Sequence, residues 1–204
     1  MLKSITCCIT LLATLSLTCW ADDPESSEPT PESLFDGKTL DRWEVLTSEI
    51  EVRDECIFIK EGNGILLADK EYGDFTLECD WKALNPEMWD SGIYFRCDMP
   101  PEGRPWPTKY QVNMRKELEG SMGGVPHTVT ELYKPGEWNH FKLTVVGSVA
   151  SLEFNGEKAW EYDGIETARG HLCLQAEVPG GGQFLFKNVT IVDLDEEEEE
   201  ENEE

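Results

Sequence analysis

Glu78 and Asp80 stand two residues apart in a segment that alternates apolar and polar side chains. Residues at i and i+2 of a strand point to the same face, so both carboxylates would share one. Paired carboxylates on one surface can cleave glycosidic bonds, one as acid and the other as base or nucleophile. The usual one-strand set needs a further Glu two or three residues on, and here Lys82 and Ala83 occupy those places. This strand therefore lacks half of the ordinary retaining apparatus. Tyr94 and Arg96 could join the group if 75–82 and 92–97 are neighbouring antiparallel strands. Arg96 would then pair with Glu78 or Asp80 across the strands. Such a face is either a solvated, salt-bridged surface or a polar sugar-binding surface with Tyr94 as platform.

Other chemistries leave no trace. There is no phosphate-binding glycine loop, no dinucleotide fingerprint, no HExxH and no GxSxG. The three histidines, His127, His140 and His171, are not spaced as a metal pair, and His140 reads as a structural histidine at a strand entrance. Between 83 and 109 lie Trp89, Trp106 and five prolines. Aromatic rings there could stack on a pyranose or seal the end of a core.

These residues need strands to position them. The segment 75–81 puts Phe75, Leu77, Cys79 and Trp81 on one face. In 91–97, Ile93, Phe95 and Cys97 oppose Tyr94 and Arg96. Further strands are expected at 110–114, 141–146, 151–154, 171–175 and 184–192. Asn155-Gly156 predicts a type I′ hairpin, and Gly180-Gly181-Gly182 a turn before the last strand. Many short strands with frequent turns predict an all-β sandwich or jelly roll in one domain.

The ends differ from this middle. Lys3, an apolar stretch over 5–17 and Cys19-Trp20-Ala21 before Asp22 form a signal-peptide pattern over 1–21. Export to the periplasm or the extracellular space is expected, with a lipid anchor on Cys19 the weaker alternative. The apolar stretch is short for a membrane span. Residues 22–33 are expected to be a disordered linker, 34–194 the folded domain, and 195–204 a disordered acidic tail. Net charge is −25, and ten of the carboxylates fall within 193–204. A chain this acidic repels nucleic acid and suits neutral ligands such as sugars. Cys56, Cys79, Cys97 and Cys173 lie beyond the signal. They allow either one disulfide or free buried thiols.

Ordered motifs then carry a resemblance. Ser33-Leu34-Phe35-Asp36-Gly37-Lys38-Thr39-Leu40 followed by Trp43, and Glu71-Tyr72-Gly73-Asp74-Phe75, come first. Asp90-Ser91-Gly92-Ile93-Tyr94-Phe95-Arg96 and Tyr110-Gln111-Val112-Asn113-Met114 follow. Gly136-Glu137-Trp138-Asn139, and His171–Gln175 with Phe186-Lys187-Asn188-Val189, complete the set. Together they resemble the 3-keto-disaccharide hydrolase family over 34–194. The resemblance implies a concanavalin- or laminarinase-like jelly roll that cleaves glycosidic bonds of sugars already oxidised at C3. A 3-ketone acidifies the C2 hydrogen, a base removes it, and the C1 oxygen leaves with help from an acid. Water addition then gives hydrolysis; without it the enzyme is a lyase. The alternative is a non-catalytic carbohydrate-binding module on the same fold.

By this resemblance Arg96 holds the ketone or enolate oxygen; Glu177, just beyond the matching Gln175, is the candidate base at the rim, and Tyr94 or Tyr110 is the candidate donor to the leaving oxygen. Asp90, Gln111, Asn113, Gln175 and Trp106 complete the substrate surface. Asp90 stands where the family often has Asn, Gln111 where it often has Glu, and Asn113 replaces a Gln. A divalent metal is one further way to stabilise the enolate. The chemistry also requires a sugar oxidoreductase upstream, to make the keto sugar.

Overall fold

Strict alternation builds the back of the molecule. Strand β4 (Phe75–Ala83) buries Phe75, Leu77, Cys79, Trp81 and Ala83 and turns the residues between them outward. Strand β7 (Asn139–Val146) does the same with Phe141, Leu143 and Val145. Beside them run β8 (Val149–Phe154), β9 (Glu157–Asp163) and β11 (Phe184–Asp193). Asn155 and Gly156, at φ 50° and 86°, turn β8 into β9. Both φ values are positive, as a two-residue type I′ hairpin requires.

The computed structural model describes residues 30–126 and 130–195. The proposed signal segment, most of the acidic spacer, His127 and the acidic run from 196 onward lie outside the described residues. Strand β1 (Glu32–Ser33) pairs with Thr190 and Ile191. Strands β2 (Trp43–Arg53) and β3 (Cys56–Tyr72) form a long hairpin without the usual turn signal. Asp54 and Glu55 make the turn, at φ 52° and 58°, with no glycine. Strands β5 (Gly92–Cys97), β6 (Gln111–Asn113) and β10 (Gly170–Val178) complete the set.

All the pairings are antiparallel. The strand order is β6-β5-β10-β3-β11-β4-β7-β8-β9, with β2 on the free edge of β3. Strand β3 joins two layers. Ile57–Ile59 pair with β11, and Gly62–Tyr72 pair with β10. The sheet thus curls on itself as a jelly roll. Its front layer (Ile93, Phe95, Leu172, Leu174, Leu66) and back layer (Trp81, Phe141, Phe154, Phe184, Phe186) meet in one core. Burying each large apolar side chain there contributes roughly 1.5–3 kcal/mol.

One expected neighbourhood is absent. Strand β4 lies between β11 and β7, whereas β5 lies between β10 and β6. Glu78 and Asp80 therefore never meet Tyr94 or Arg96. They face His140 and Lys142 on β7: Asp80 bonds His140 Nδ1 at 2.9 Å, and Glu78 lies 3.5 Å from His140 Nε2. This is a salt-bridged outer surface of the back layer.

Candidate active site

The outer face of the front layer is assembled by register. Glu177, Gln175 and Cys173 alternate along β10. Tyr94 on β5 stands opposite Cys173 on one side and Gln111 of β6 on the other. A chain of amide hydrogen bonds crosses the strands. Gln111 Nε2 donates to Gln175 Oε1 at 2.5 Å, and Gln175 Nε2 donates to Glu177 Oε2 at 2.8 Å. The Gln111 side chain crosses directly over Gly92, where any Cβ would meet its Nε2 at 2.4 Å. Gln175 is buried and has both amide ends engaged. Such an arrangement fixes the Glu177 carboxylate in one orientation.

Glu177 ends at the rim, in a cleft of about 480 Å³ lined also by Trp89, Asp90, Arg115, Glu117 and Gly180. Backbone bonds bring the two carboxylates together. Asp90 N donates to Gly181 O at 2.8 Å, and Gly181 N donates to Glu177 O at 2.5 Å. Burial pushes the Asp90 carboxyl up to about 6; Glu177 adds to the rise and Arg115 opposes it. Burial likewise raises Glu177, against its bond from Gln175 and the field of Arg115. Arg115 Nε lies 3.5 Å from Asp90 Oδ2 and is largely exposed. Two carboxyls that resist ionisation beside one exposed guanidinium can exchange a proton and place a cation near a developing oxyanion. Tyr94 is buried, and desolvation together with Asp90 keeps its phenol protonated.

The other expected site residues divide. Asn113 stands on β6 two residues from Gln111, but its Nδ2 donates to Ser121 O and Oγ, bracing the following loop. Trp106 folds onto the small apolar cluster of Ile65, Leu67, Tyr94, Cys97 and Cys173, and its indole N–H donates to Ala176 O at 2.9 Å. It covers the face of the layer. Trp89 seals the core, with its indole N–H on Glu119.

Tyr110 is a correction. It points to the opposite side from Gln111, as alternation requires, stacks on Phe95 at 5.7 Å and accepts a bond from Glu166 N. Arg96 is the larger correction. Its guanidinium donates to Gly73 O, Gly147 O and Thr167 O and to the Asp74 carboxylate. It ties three turns together at the other end of the sandwich, with its side chain fully buried. The cation that does stand beside Asp90, lining the same cleft as Glu177, is Arg115, in the loop after β6. Its position just beyond the 110–114 segment was the one available signal.

The described residues do not fit the divalent metal that the resemblance allows. No group of three or more His, Cys, Asp and Glu converges among them. Asp90 and Glu177 share their cleft with a guanidinium, a set suited to moving a proton rather than holding a cation.

A family model described as a 3-keto-alpha-glucoside-1,2-lyase-like domain matches residues 30–192. No curated protein matches the chain. Among solved structures, two described as a "putative glycosyl hydrolase" from Parabacteroides distasonis ATCC 8503 share the fold at TM-score 0.68. They are 22% and 20% identical; each alignment covers 81% of this chain, and 94% and 100% of those chains. The carbohydrate-binding module CBM66 from Bacillus subtilis aligns at TM-score 0.58 and 15% identity, over 74% of this chain and 95% of that one.

Proposed function

We propose that this chain, which belongs to the 3-keto-alpha-glucoside-1,2-lyase-like domain family, cleaves the glycosidic bond of 3-keto-glucosides, with the rim cleft as its active site. The observation that carries the reading is the pair Asp90 and Glu177 lining one cleft with Arg115 beside them. In a 3-keto-glucoside the carbonyl acidifies C2–H. Glu177, oriented by Gln175, takes that proton as base. The electron pair moves to the carbonyl, and negative charge develops on the C3 oxygen, where Arg115 can stabilise it. Collapse of the enolate expels the C1 oxygen, and Asp90 in its protonated form supplies the leaving group with a proton. One C–H and one C–O bond break, a C1–C2 double bond forms, and an alcohol departs. Addition of water across that double bond turns the elimination into net hydrolysis. Export, and an upstream oxidoreductase that makes the ketone, belong to the same proposal.

Gln111 favours one other reading, a non-catalytic sugar-binding module, because an amide stands where the family often has a carboxylate. Product analysis with a 3-keto-glucoside separates the two. Release of the alcohol, lost in Glu177→Gln and Asp90→Asn, supports the enzyme. Saturable binding without turnover overturns it in favour of the module.

A further inference from the structure

The four cysteines beyond the proposed signal lie in three different surroundings. Cys79 faces the core from β4, and Cys56 lies at the β2–β3 turn. Cys97 and Cys173 sit together on the outer face of the front layer, with their sulfurs 3.8 Å apart and both side chains buried.

Simple alternation along β5 would have kept them apart, since Ile93 and Phe95 enter the core and Cys97 would follow them. Arg96 breaks the alternation. Its backbone is left-handed at φ 42°, and the facing strand shifts register between His171 and Cys173. Cys97 therefore swings to the face that carries Tyr94 and Cys173. At the irregularity sits the guanidinium clamp, which ties Arg96 to Gly73, Asp74, Gly147 and Thr167. Gly170 admits the distortion: a Cβ there would meet the Arg96 carbonyl carbon at 2.6 Å. A clamp, a glycine and a register shift thus converge on one cysteine pair. The Cys97 sulfur also donates to His171 O at 3.4 Å, so it is held on the β10 side.

We propose that Cys97 and Cys173 are a modification site that closes to a disulfide, stapling β5 to β10 beneath Tyr94 and the Trp106 loop. A disulfide needs the sulfurs at about 2.05 Å, and here they stand 3.8 Å apart on neighbouring strands. The oxidant is a small-molecule disulfide. The thiolate of one cysteine attacks it and expels one thiol, and the second cysteine then attacks the mixed disulfide and expels the other. Two protein thiols lose two protons and two electrons in all, and the small disulfide becomes two thiols. Because both sulfurs are buried, the exchange takes place during folding, while β5 and β10 are still open to solvent.

The test is to refold the full chain in a mixture of reduced and oxidised glutathione. The product is denatured without reductant, alkylated and mapped by mass spectrometry. The expected result is one cross-linked peptide pair containing Cys97 and Cys173, with Cys56 and Cys79 alkylated. A thermal melt of the oxidised protein should move to lower temperature on addition of dithiothreitol, and the Cys97→Ser/Cys173→Ser variant should not respond. Quantitative alkylation of Cys97 and Cys173, or their capture in pairs with other cysteines, overturns the proposal. This readout is independent of the sugar chemistry.

Discussion

Replacing Asp90 by Asn should stabilise the protein and disable it at the same time. In the folded protein the Asp90 carboxyl is raised from 3.8 to about 6, mainly by burial and next by Glu177. A rise of about two units costs the ionised form about 3 kcal/mol at most. That value already includes the opposing field of Arg115, 3.5 Å away; solvent screening at the partly exposed carboxyl reduces it further, so the net gain should be about 1–2 kcal/mol. For a domain of this size that raises Tm by roughly 3–6 °C. The sign depends on pH. Below about pH 4 the carboxyl is protonated in both folded and unfolded chains, and wild type and variant should melt together. Between about pH 4 and pH 6 the folded state binds the proton more tightly, so wild-type stability falls as pH rises, whereas the Asn variant does not follow. Above pH 6 the gap is constant. Turnover of a 3-keto-glucoside should meanwhile fall by about 10²–10⁴, the usual share of a general acid. Thermal melts at pH 4, 6 and 8 with parallel rate measurements decide it. An Asn variant less stable than wild type at pH 8, or one with unchanged turnover, would refute the reasoning.

Glu177→Gln should retain the wild-type melt within a few degrees and lose about 10²–10⁴ in rate, read by product release. Arg96→Ala should cost about 3 kcal/mol, a fall in Tm of roughly 6–12 °C, because it strips three carbonyls and Asp74 of their partner. Any activity that remains in the folded fraction of that variant should have an unchanged KM, since Arg96 does not reach the cleft. Gly92→Ala should displace the Gln111 amide that crosses it, loosening Gln175 and Glu177. Its expected signature is a lower kcat with little change in overall circular dichroism. Arg115→Ala should slow turnover, and it should also raise the pKa on the acidic limb of the rate profile, because Arg115 opposes the rise at both carboxyls.

Local pattern was enough for most of the fold. Alternation in 75–81 and the Asn155-Gly156 turn each reappear as drawn, because a strand's inward face and a type I′ turn are set by neighbouring residues alone. The β2–β3 hairpin escaped notice because Asp54 and Glu55 make its turn without a glycine. Gln111, Gln175 and Glu177 were legible as a polar surface through their motifs, and the structure adds the hydrogen-bond chain that joins them. Strand order was not legible. Nothing in 75–82 says that its neighbours are β7 and β11 rather than β5, so Glu78 and Asp80 could be assigned to the wrong layer. Arg96 and Arg115 make the same point. Both are arginines beside a strand end, and sequence cannot tell which guanidinium is consumed by backbone carbonyls. Only the tertiary structure decided that. It gathered three turns 22 to 71 residues from Arg96 around that side chain, and it left Arg115 exposed beside Asp90, since a charge can be buried only where enough acceptors converge to replace its water.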